Sequence, residues 1–415
     1  MSYRFSLAIL IGMVAGVFVG WICHAQLTTV QATDVAANLS IVTDVFLRLI
    51  KMIIAPLVFG TLIAGIANMG AGAQLGRIGA RTIGWFLGAS VISLVLGVII
   101  VTALQPGAGL ELPLPPEGTH SGIEAGAMTL KDFVTHVFPR SIIEAMANNE
   151  ILQIVVFSVF VGVALASLGE RTAGIVLLAE QLVEVMLKIT GYVMLVAPFA
   201  VFAAIAATIT QNGLGILVTY SKFIASFYFA LIVLWLVIAA FGGLVIGRRV
   251  VPLMTSMRDP ILVAFSTASS EAAFPRILEQ LERFGVPRRI SGFVLPLGYS
   301  FNLDGSMMYC TFATLFIGQV YGIELTVGQQ VTMLLILLIT SKGIAGVPRA
   351  SLVIIAATLA YFKLPEAGLV LILAVDHFLD MGRSATNVVG NAVASAVQAK
   401  WEGQLSNGSA DSPGQ

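Results

Sequence analysis

The residues best suited to chemistry lie near the end of the sequence, in Asp376-His-Phe-Leu-Asp380-Met-Gly-Arg383-Ser384-Ala-Thr-Asn387-Val-Val-Gly-Asn391. Asp376, Asp380, Arg383, Ser384, Asn387 and Asn391 recur every three or four residues, so on a helix they share one face. The apolar runs 367–375 and 392–399 flank this stripe, and together they are long enough to cross a bilayer. A central Asp or Arg costs roughly 2.5–3.5 kcal/mol to insert, so two acids and one arginine cost about 8 kcal/mol. The stripe must therefore face protein, water or a ligand. Intramembrane charge of this kind marks a substrate or ion site by default.

The rest of the chain supplies a membrane setting. Of 415 residues, 58% are hydrophobic and only 11% charged, against about 25% charged in a soluble domain. Mean hydropathy is +0.96, which makes this a polytopic membrane protein. The 22 basic and 22 acidic residues cancel, so no basic face points to nucleic acid. Cys23 and Cys310 give neither a disulfide framework nor a metal spacing, and the four histidines lack an HExxH pattern.

The first span is expected over Phe5 to Cys23. Cys23 and Ala25 resemble a signal-peptide cleavage site, but the apolar run is too long for one. Gly12, Gly16 and Gly20 give that span a small-residue packing face. Further spans are expected at 42–67, 82–104, 151–168, 175–207 and 221–246. Arg48 and Lys51 lie early in the span 42–67, as snorkelling cations or as part of a transport path. The connection 25–40 has no Lys or Arg, whereas Arg77 and Arg81 follow the second span, which places the amino terminus in the cytoplasm. Residues 105–128 read as an external loop and 138–149 as an interfacial helix.

Beyond Pro252 the pattern changes. The short apolar run 261–265 enters Ser266-Thr-Ala-Ser269-Ser270-Glu271 and returns to the basic stretch 276–289. That reads as a re-entrant hairpin, tolerated only where it is buried or lines a cavity. The next span, 294–320, is interrupted by Gly298-Tyr-Ser300-Phe-Asn302-Leu-Asp304-Gly305-Ser306 and should unwind there. A second hairpin follows, from 332–339 into Thr340-Ser341-Lys342-Gly-Ile344-Ala-Gly346-Val347-Pro348-Arg349-Ala-Ser351, and then the striped helix. Hairpin then broken helix, hairpin then polar helix, is the layout of inverted repeats around a transporter site.

At these residues the chain resembles the glutamate/aspartate transporter family, the dicarboxylate/amino acid:cation symporters. It most resembles the bacterial proton- or sodium-coupled glutamate carriers. The resemblance runs from Arg48–Pro56 through 302–306 and 341–348 to the last helix. It implies an all-α membrane fold of eight transmembrane helices and two re-entrant hairpins, in a homotrimer working as an elevator. Residues 1–250 would be mostly scaffold and trimerisation helices, with span 82–104 and part of 150–250 shared with the transport domain. Residues 251–402 would form the core transport domain and 403–415 a disordered tail.

The resemblance also implies roles. Arg383 would grip the distal carboxylate of the substrate, a task that suits a planar fork of donors. Asp380 would receive the ammonium, with Asn387, Ser384 and Ser306 on the carboxylates. Ser269 and Ser270 in the first tip, and Gly346 and Val347 in the second, would close over the ligand. Gly298, Asn302, Asp304, Asn387, Asn391 and Ser90 would hold coupling cations, as would Ser300, Ser341 and Ile344 at a second position. No cofactor is implied beyond H+ or Na+ as coupling ion. The setting implied is a bacterial inner membrane.

Five departures stand out. Ala268 and Gly382 lack basic residues found in some members, while Arg349 brings one to the second tip. Asn391 stands where sodium-coupled members often have aspartate, and Ala89 where they have threonine. Other readings remain: Asn302 and Asp304 as caps of a broken helix, Ser269 and Ser270 as packing residues, Glu271 and Lys342 as solvated charges, and Asp376 as an orienting acid. A C4-dicarboxylate carrier is the alternative within the family. A membrane hydrolase lacks its motifs, and a channel would need a repeated pore ring.

Overall fold

The computed structural model describes residues 2–69, 73–108, 135, 137–340, 350–365, 367–373 and 375–406. Every regular element among them is helical. The first helices are α1 (Ser2–Gln26), α2 (Thr29–Met69) and α3 (Ala73–Leu104). Next come α4 (Ile142–Ala147), α5 (Ile151–Leu168), α6 (Ala173–Val193), α7 (Ala197–Asn212) and α8 (Ser221–Ile246). The second half holds α9 (Arg258–Thr267), α10 (Ser270–Phe284), α11 (Arg288–Phe301), α12 (Asp304–Val320), α13 (Val327–Thr340), α14 (Ala350–Tyr361) and α15 (Asp376–Trp401).

Five stretches among the described residues are long and apolar enough to cross a membrane: Leu7–Gln26, Thr29–Ala67, Gly76–Leu104, Ile151–Asn212 and Ser221–Ser256. The fourth contains two expected spans, parted at Gly169, whose φ of +59° a Cβ would disfavour. The expected spans at 294–320 and 367–399 do not qualify: α11 and α12 are short halves, and α15 carries the polar stripe.

Three expectations need correction. The expected span 175–207 is two helices, α6 and α7, joined by a 3-10 turn at Met194–Val196. Pro198 lies in the first turn of α7; it has no N–H to continue the α6 ladder and suits a fresh helix start. The second span begins at Thr29 rather than 42, because no Gly or Pro interrupts residues 29–55. The expected interfacial helix 138–149 is only Ile142–Ala147, started by Ser141, whose hydroxyl accepts from the Glu144 N–H. Most of the expected external loop lies outside the described residues.

Packing gathers the helices around two centres, α2 and α15, and α10 and α11 touch both. α1 lies on α7, and α2 contacts α5, α6 and α7. The glycine face of α1 is used as expected: a Cβ at Gly12, Gly16 or Gly20 would come within 2.6, 2.7 or 2.8 Å of backbone oxygens of Pro198, Phe202 or Ala206. Such contact drives helix association where lipid removes the hydrophobic gain. The second set surrounds α15, which packs on α3, α8, α9, α10, α11 and α12. Side-chain hydrogen bonds secure it: buried Gln398 donates to Thr82 at 2.8 Å and half-buried Trp235 to Thr386 at 2.8 Å. Aromatic rings join α8 to α12, with Phe223 stacked on Phe316 at 3.9 Å between centroids.

Past α15 the chain is held down. Glu402 takes Arg77 at 2.6 Å and Arg81 at 2.9 Å, and Arg249 donates to the Ser406 carbonyl at 2.7 Å. The hydrogen bond from Arg77 holds the Glu402 carboxyl below its usual range, with the charges of both arginines adding to it. The sign follows: this latch is complete above the ordinary carboxylate pKa and is lost as pH falls through the lowered one. The rest of the tail from 407 lies outside the described residues.

The α1–α7 contact gives a first prediction. Gly16→Leu forces two backbones apart and should cost about 1–3 kcal/mol, as overpacking does. The melting temperature of the detergent-solubilised protein should fall, while Gly174→Leu, at a site with no atom within 4 Å, should leave it unchanged. Equal melting of the two variants would contradict the contact.

Candidate functional site

The site is built where a broken helix meets α15. After Phe301 the backbone leaves helical geometry at Asn302 (φ −125°, ψ 60°) and Leu303 (φ −97°, ψ 65°) and resumes at Asp304. The unwinding expected from the Asn-Leu-Asp-Gly run is therefore present. It leaves the carboxyl end of α11 and the amino end of α12 inside the protein, each with unpaired backbone groups. Asn387 serves one end: its Oδ1 accepts the Gly305 N–H at 2.9 Å, and its Nδ2 donates to Ser306 Oγ at 3.3 Å.

Two polar clusters flank Asn387. In the first, Asp380 and Arg383 face each other across one turn of α15. Arg383 donates from Nε to Asp380 Oδ1 at 2.8 Å and from Nη2 to the same oxygen at 2.5 Å; Ser384 adds a third bond at 3.1 Å. Arg383 Nη1 also donates to Ser351 Oγ on α14. Tyr309 lies beneath, its ring 5.6 Å from the guanidinium and its hydroxyl 2.5 Å from Asp376 Oδ1. Asp376 thus orients a neighbour of Arg383.

The second cluster is deeper. Asn302 and Asp304 are fully buried, as are Asn391, Ser90 and Ser93. Asn302 Nδ2 donates to Asp304 Oδ2 at 3.2 Å and to Asn391 Oδ1 at 3.1 Å, and Ser93 donates to Asp304 Oδ1 at 3.4 Å. Ser90 donates to the Phe301 carbonyl at 3.4 Å, and the Gly298 carbonyl accepts the Asn302 N–H at 2.7 Å. Ser300 Oγ, Asn302 Oδ1 and Asn391 Nδ2 are buried with no partner among the described residues. Two of these three are oxygens. A set of hydroxyl, amide, carbonyl and carboxylate oxygens suits a hard cation. No group of three or more His, Cys, Asp or Glu side chains able to hold a metal occurs among the described residues.

Close approach makes both clusters possible. A Cβ at Gly390 would fall 1.9 Å from Asp304 Oδ2, and one at Gly298 would fall 2.2 Å from Asn391 Oδ1.

The first hairpin tip reaches the same region, since α9 and α10 both pack on α15. Its turn is Ala268, in the left-handed conformation at φ +49°, followed by Ser269. Ser269 accepts the Ala272 N–H at 3.3 Å as the cap of α10, and the Ser270 carbonyl accepts from Tyr299 at 2.9 Å. Both serines therefore have structural duties. Glu271 is partly buried and interacts with the charge of Lys51 on α2. Ser341, Ile344, Gly346 and Val347, with Lys342 and Arg349, lie outside the described residues. Tyr309 and Ser93 are the contributors that sequence spacing did not single out, and Ser351 stood in the second polar tip without a role. Tyr309 lies five residues after Asp304, in an apolar run that reads as packing.

The match to known proteins spans almost the entire chain. The sodium:dicarboxylate symporter family matches residues 5–401. The proton/sodium-glutamate symport protein of Bacillus caldotenax is 38% identical over 403 residues, 95% of this chain and 94% of that protein. The proton/glutamate-aspartate symporter of Escherichia coli (strain K12) is 40% identical over 411 residues, covering 97% and 94%. The C4-dicarboxylate transport protein of Cupriavidus necator is 40% identical over 367 residues, covering 87% and 85%. These are transporters rather than enzymes. The buried clusters and the apolar helices around them thus belong to a multi-pass membrane protein, and the chain is a member of the sodium:dicarboxylate symporter family.

Proposed function

We propose that this chain is a secondary active symporter that takes up L-glutamate or L-aspartate with protons or sodium ions across a bacterial inner membrane. The Asp380–Arg383 pair carries the reading. An acidic amino acid brings one ammonium and two carboxylates, the complement of that pair. On binding, the distal carboxylate takes the guanidinium fork in place of Asp380, and Asp380 passes to the ammonium. The exchange leaves no charge unpaired at depth, which would otherwise cost several kcal/mol. Ser384, Asn387 and Ser306 then serve the remaining carboxylate oxygens. Backbone N–H groups of the tips, at Ser269 and Ser270 and at Gly346 and Val347, close over it.

The coupling ion is cargo for the oxygen cluster: Asp304, Asn302, Ser300, Asn387, Asn391, Ser90 and the Gly298 carbonyl, joined by Ser341 and Ile344 from the second tip. The unpartnered Ser300 and Asn302 oxygens support this reading. Eight transmembrane helices and two re-entrant hairpins, arranged as inverted repeats, complete the proposal. α3, α8 and residues 251–402 move together as an elevator past α1, α2 and α5 to α7 in a homotrimer, with the amino terminus cytoplasmic. The contacts within each helix set support that division, and the contacts of α10 and α11 with α2 would be its sliding boundary. The names of the relatives in Bacillus caldotenax and Escherichia coli support the substrate, and the one in Cupriavidus necator keeps C4-dicarboxylates as the competing class.

Uptake of labelled aspartate, glutamate and succinate into proteoliposomes tests the substrate. Asp380→Ser should weaken amino-acid uptake far more than succinate uptake, because only the amino acid has an ammonium. Equal losses would remove that role from Asp380. Arg383→Cys should abolish acidic uptake, leaving a site open to neutral amino acids; acidic uptake at unchanged affinity would remove Arg383 as the carboxylate ligand.

The coupling ion follows from charge count. Asp304 is the one carboxylate of the described oxygen cluster, and Asn391 offers an amide where an acid would add a second. Fewer anionic oxygens weaken a hard-cation site. An inward proton gradient in sodium-free choline buffer should therefore drive accumulation, with little gain from added sodium. Accumulation only under a sodium gradient would refute this.

A further inference from the structure

On the lipid side of the second cluster, a groove of about 400 Å³ runs between α3 and α8. Its floor is a trough in α3: Gly84 and Gly88 are exposed, and a Cβ at either would meet no atom within 4 Å. Ile238 and Phe241 of α8 form the facing wall. The lining runs along α3 from Arg81 to Ile92, about 16 Å at the helical rise of 1.5 Å per residue. That is about one leaflet of a 30 Å hydrocarbon core.

The two ends differ. At the mouth, Trp85 and Trp401 meet edge to face at 5.7 Å, the aromatic pairing typical of a membrane–water interface. Arg77 and Arg81 share the single carboxylate of Glu402 and stay half-exposed, so the mouth keeps an excess of positive charge. Lys400 adds an exposed cation beside Trp401, and Arg248 another at the end of α8. At the inner end Asp304 closes the groove, its two oxygens already engaged by Ser93 and Asn302.

We propose that this groove binds one acyl chain of an anionic glycerophospholipid, whose phosphate sits against Arg81 at the mouth. The apolar length selects a chain of leaflet depth, and the cationic rim selects a negative headgroup. The site adjoins the cation cluster only at Asp304, whose oxygens face Ser93 and Asn302, and it does not depend on which substrate is carried.

Tryptophan quenching by brominated lipid tests the proposal on the full chain with Trp21→Phe, which keeps Trp85 and Trp401 at the mouth and Trp235, whose indole is turned to Thr386 and gives a constant background. The protein is reconstituted in phosphatidylcholine vesicles carrying a minor fraction of dibrominated phosphatidylglycerol, or the same fraction of dibrominated phosphatidylcholine. The anionic lipid should quench about twofold more strongly, and excess unbrominated phosphatidylglycerol should reverse the difference. Gly88→Leu and Gly84→Leu, which fill the trough, should each reduce quenching to the phosphatidylcholine level. Equal quenching by the two lipids in the protein with an open trough overturns the proposal without recourse to any filled variant. Selective quenching that persists in both leucine variants overturns it too, by placing the lipid elsewhere. Quenching by brominated oleate but not by brominated phosphatidylglycerol overturns it in favour of a free fatty acid.

Discussion

Charge held at membrane depth is the constraint on which the rest of the structure depends. Asp376, Asp380 and Arg383 lie on one face of α15, and lipid offers none of them a partner. Each is answered from within the protein: Arg383 by Asp380 and Ser351, Asp380 also by Ser384, and Asp376 by Tyr309. Those partners come from α12, α14 and α15 itself, so the stripe fixes which helices must surround it. α8 closes another side through Trp235 and through Tyr228, whose hydroxyl donates to the Phe378 carbonyl at 2.6 Å. A single polar helix thus organises the second half of the chain.

Satisfying the stripe still leaves helix ends in the interior, and they are handled by close approach. The break at Asn302 and Leu303 sets two opposed helix ends beside α15. Their partial charges are aimed at the site rather than lost to water. This works only because the facing positions have no side chain. With 1.9 Å between a built Cβ at Gly390 and Asp304 Oδ2, any methyl there would displace the buried carboxylate.

The sequence was informative where energy is concentrated in few residues. Three charges at helical spacing inside an apolar run have one economical arrangement, and the Asn-Leu-Asp-Gly break follows from poor helix formers in mid-span. The α1 glycine face was legible for the same reason: small residues four apart have little use except contact. What stayed hidden depends on tertiary geometry. Tyr309 is an ordinary residue of an apolar run, and Ser351 one more small residue of a polar tip, until the fold brings α12 and α14 beside Arg383. Ser93 lies one turn after the expected Ser90, and only the rotation of α3 selects it for Asp304. The division of 175–207 turned on one proline, which a hydropathy run absorbs. The second tip is named from the sequence alone.

Asn387 is where the two clusters become one device. Its amide oxygen holds the Gly305 N–H next to Asp304, and its amide nitrogen reaches Ser306. Arg383 is one turn before it on α15 and Asn391 one turn after. On the proposed reading, a carboxylate that draws on Asn387 and Ser306 also bears on the first turn of α12, where Asp304 awaits the cation. A cation that fixes Asp304 and Asn391 in turn fixes the register of α15 against α12, and so the place of Arg383. Each ligand then favours the arrangement that the other needs, and linkage makes the two effects equal in free energy. Coupled movement of solute and ion requires no long path through the protein, because the shared elements are one amide and one helix.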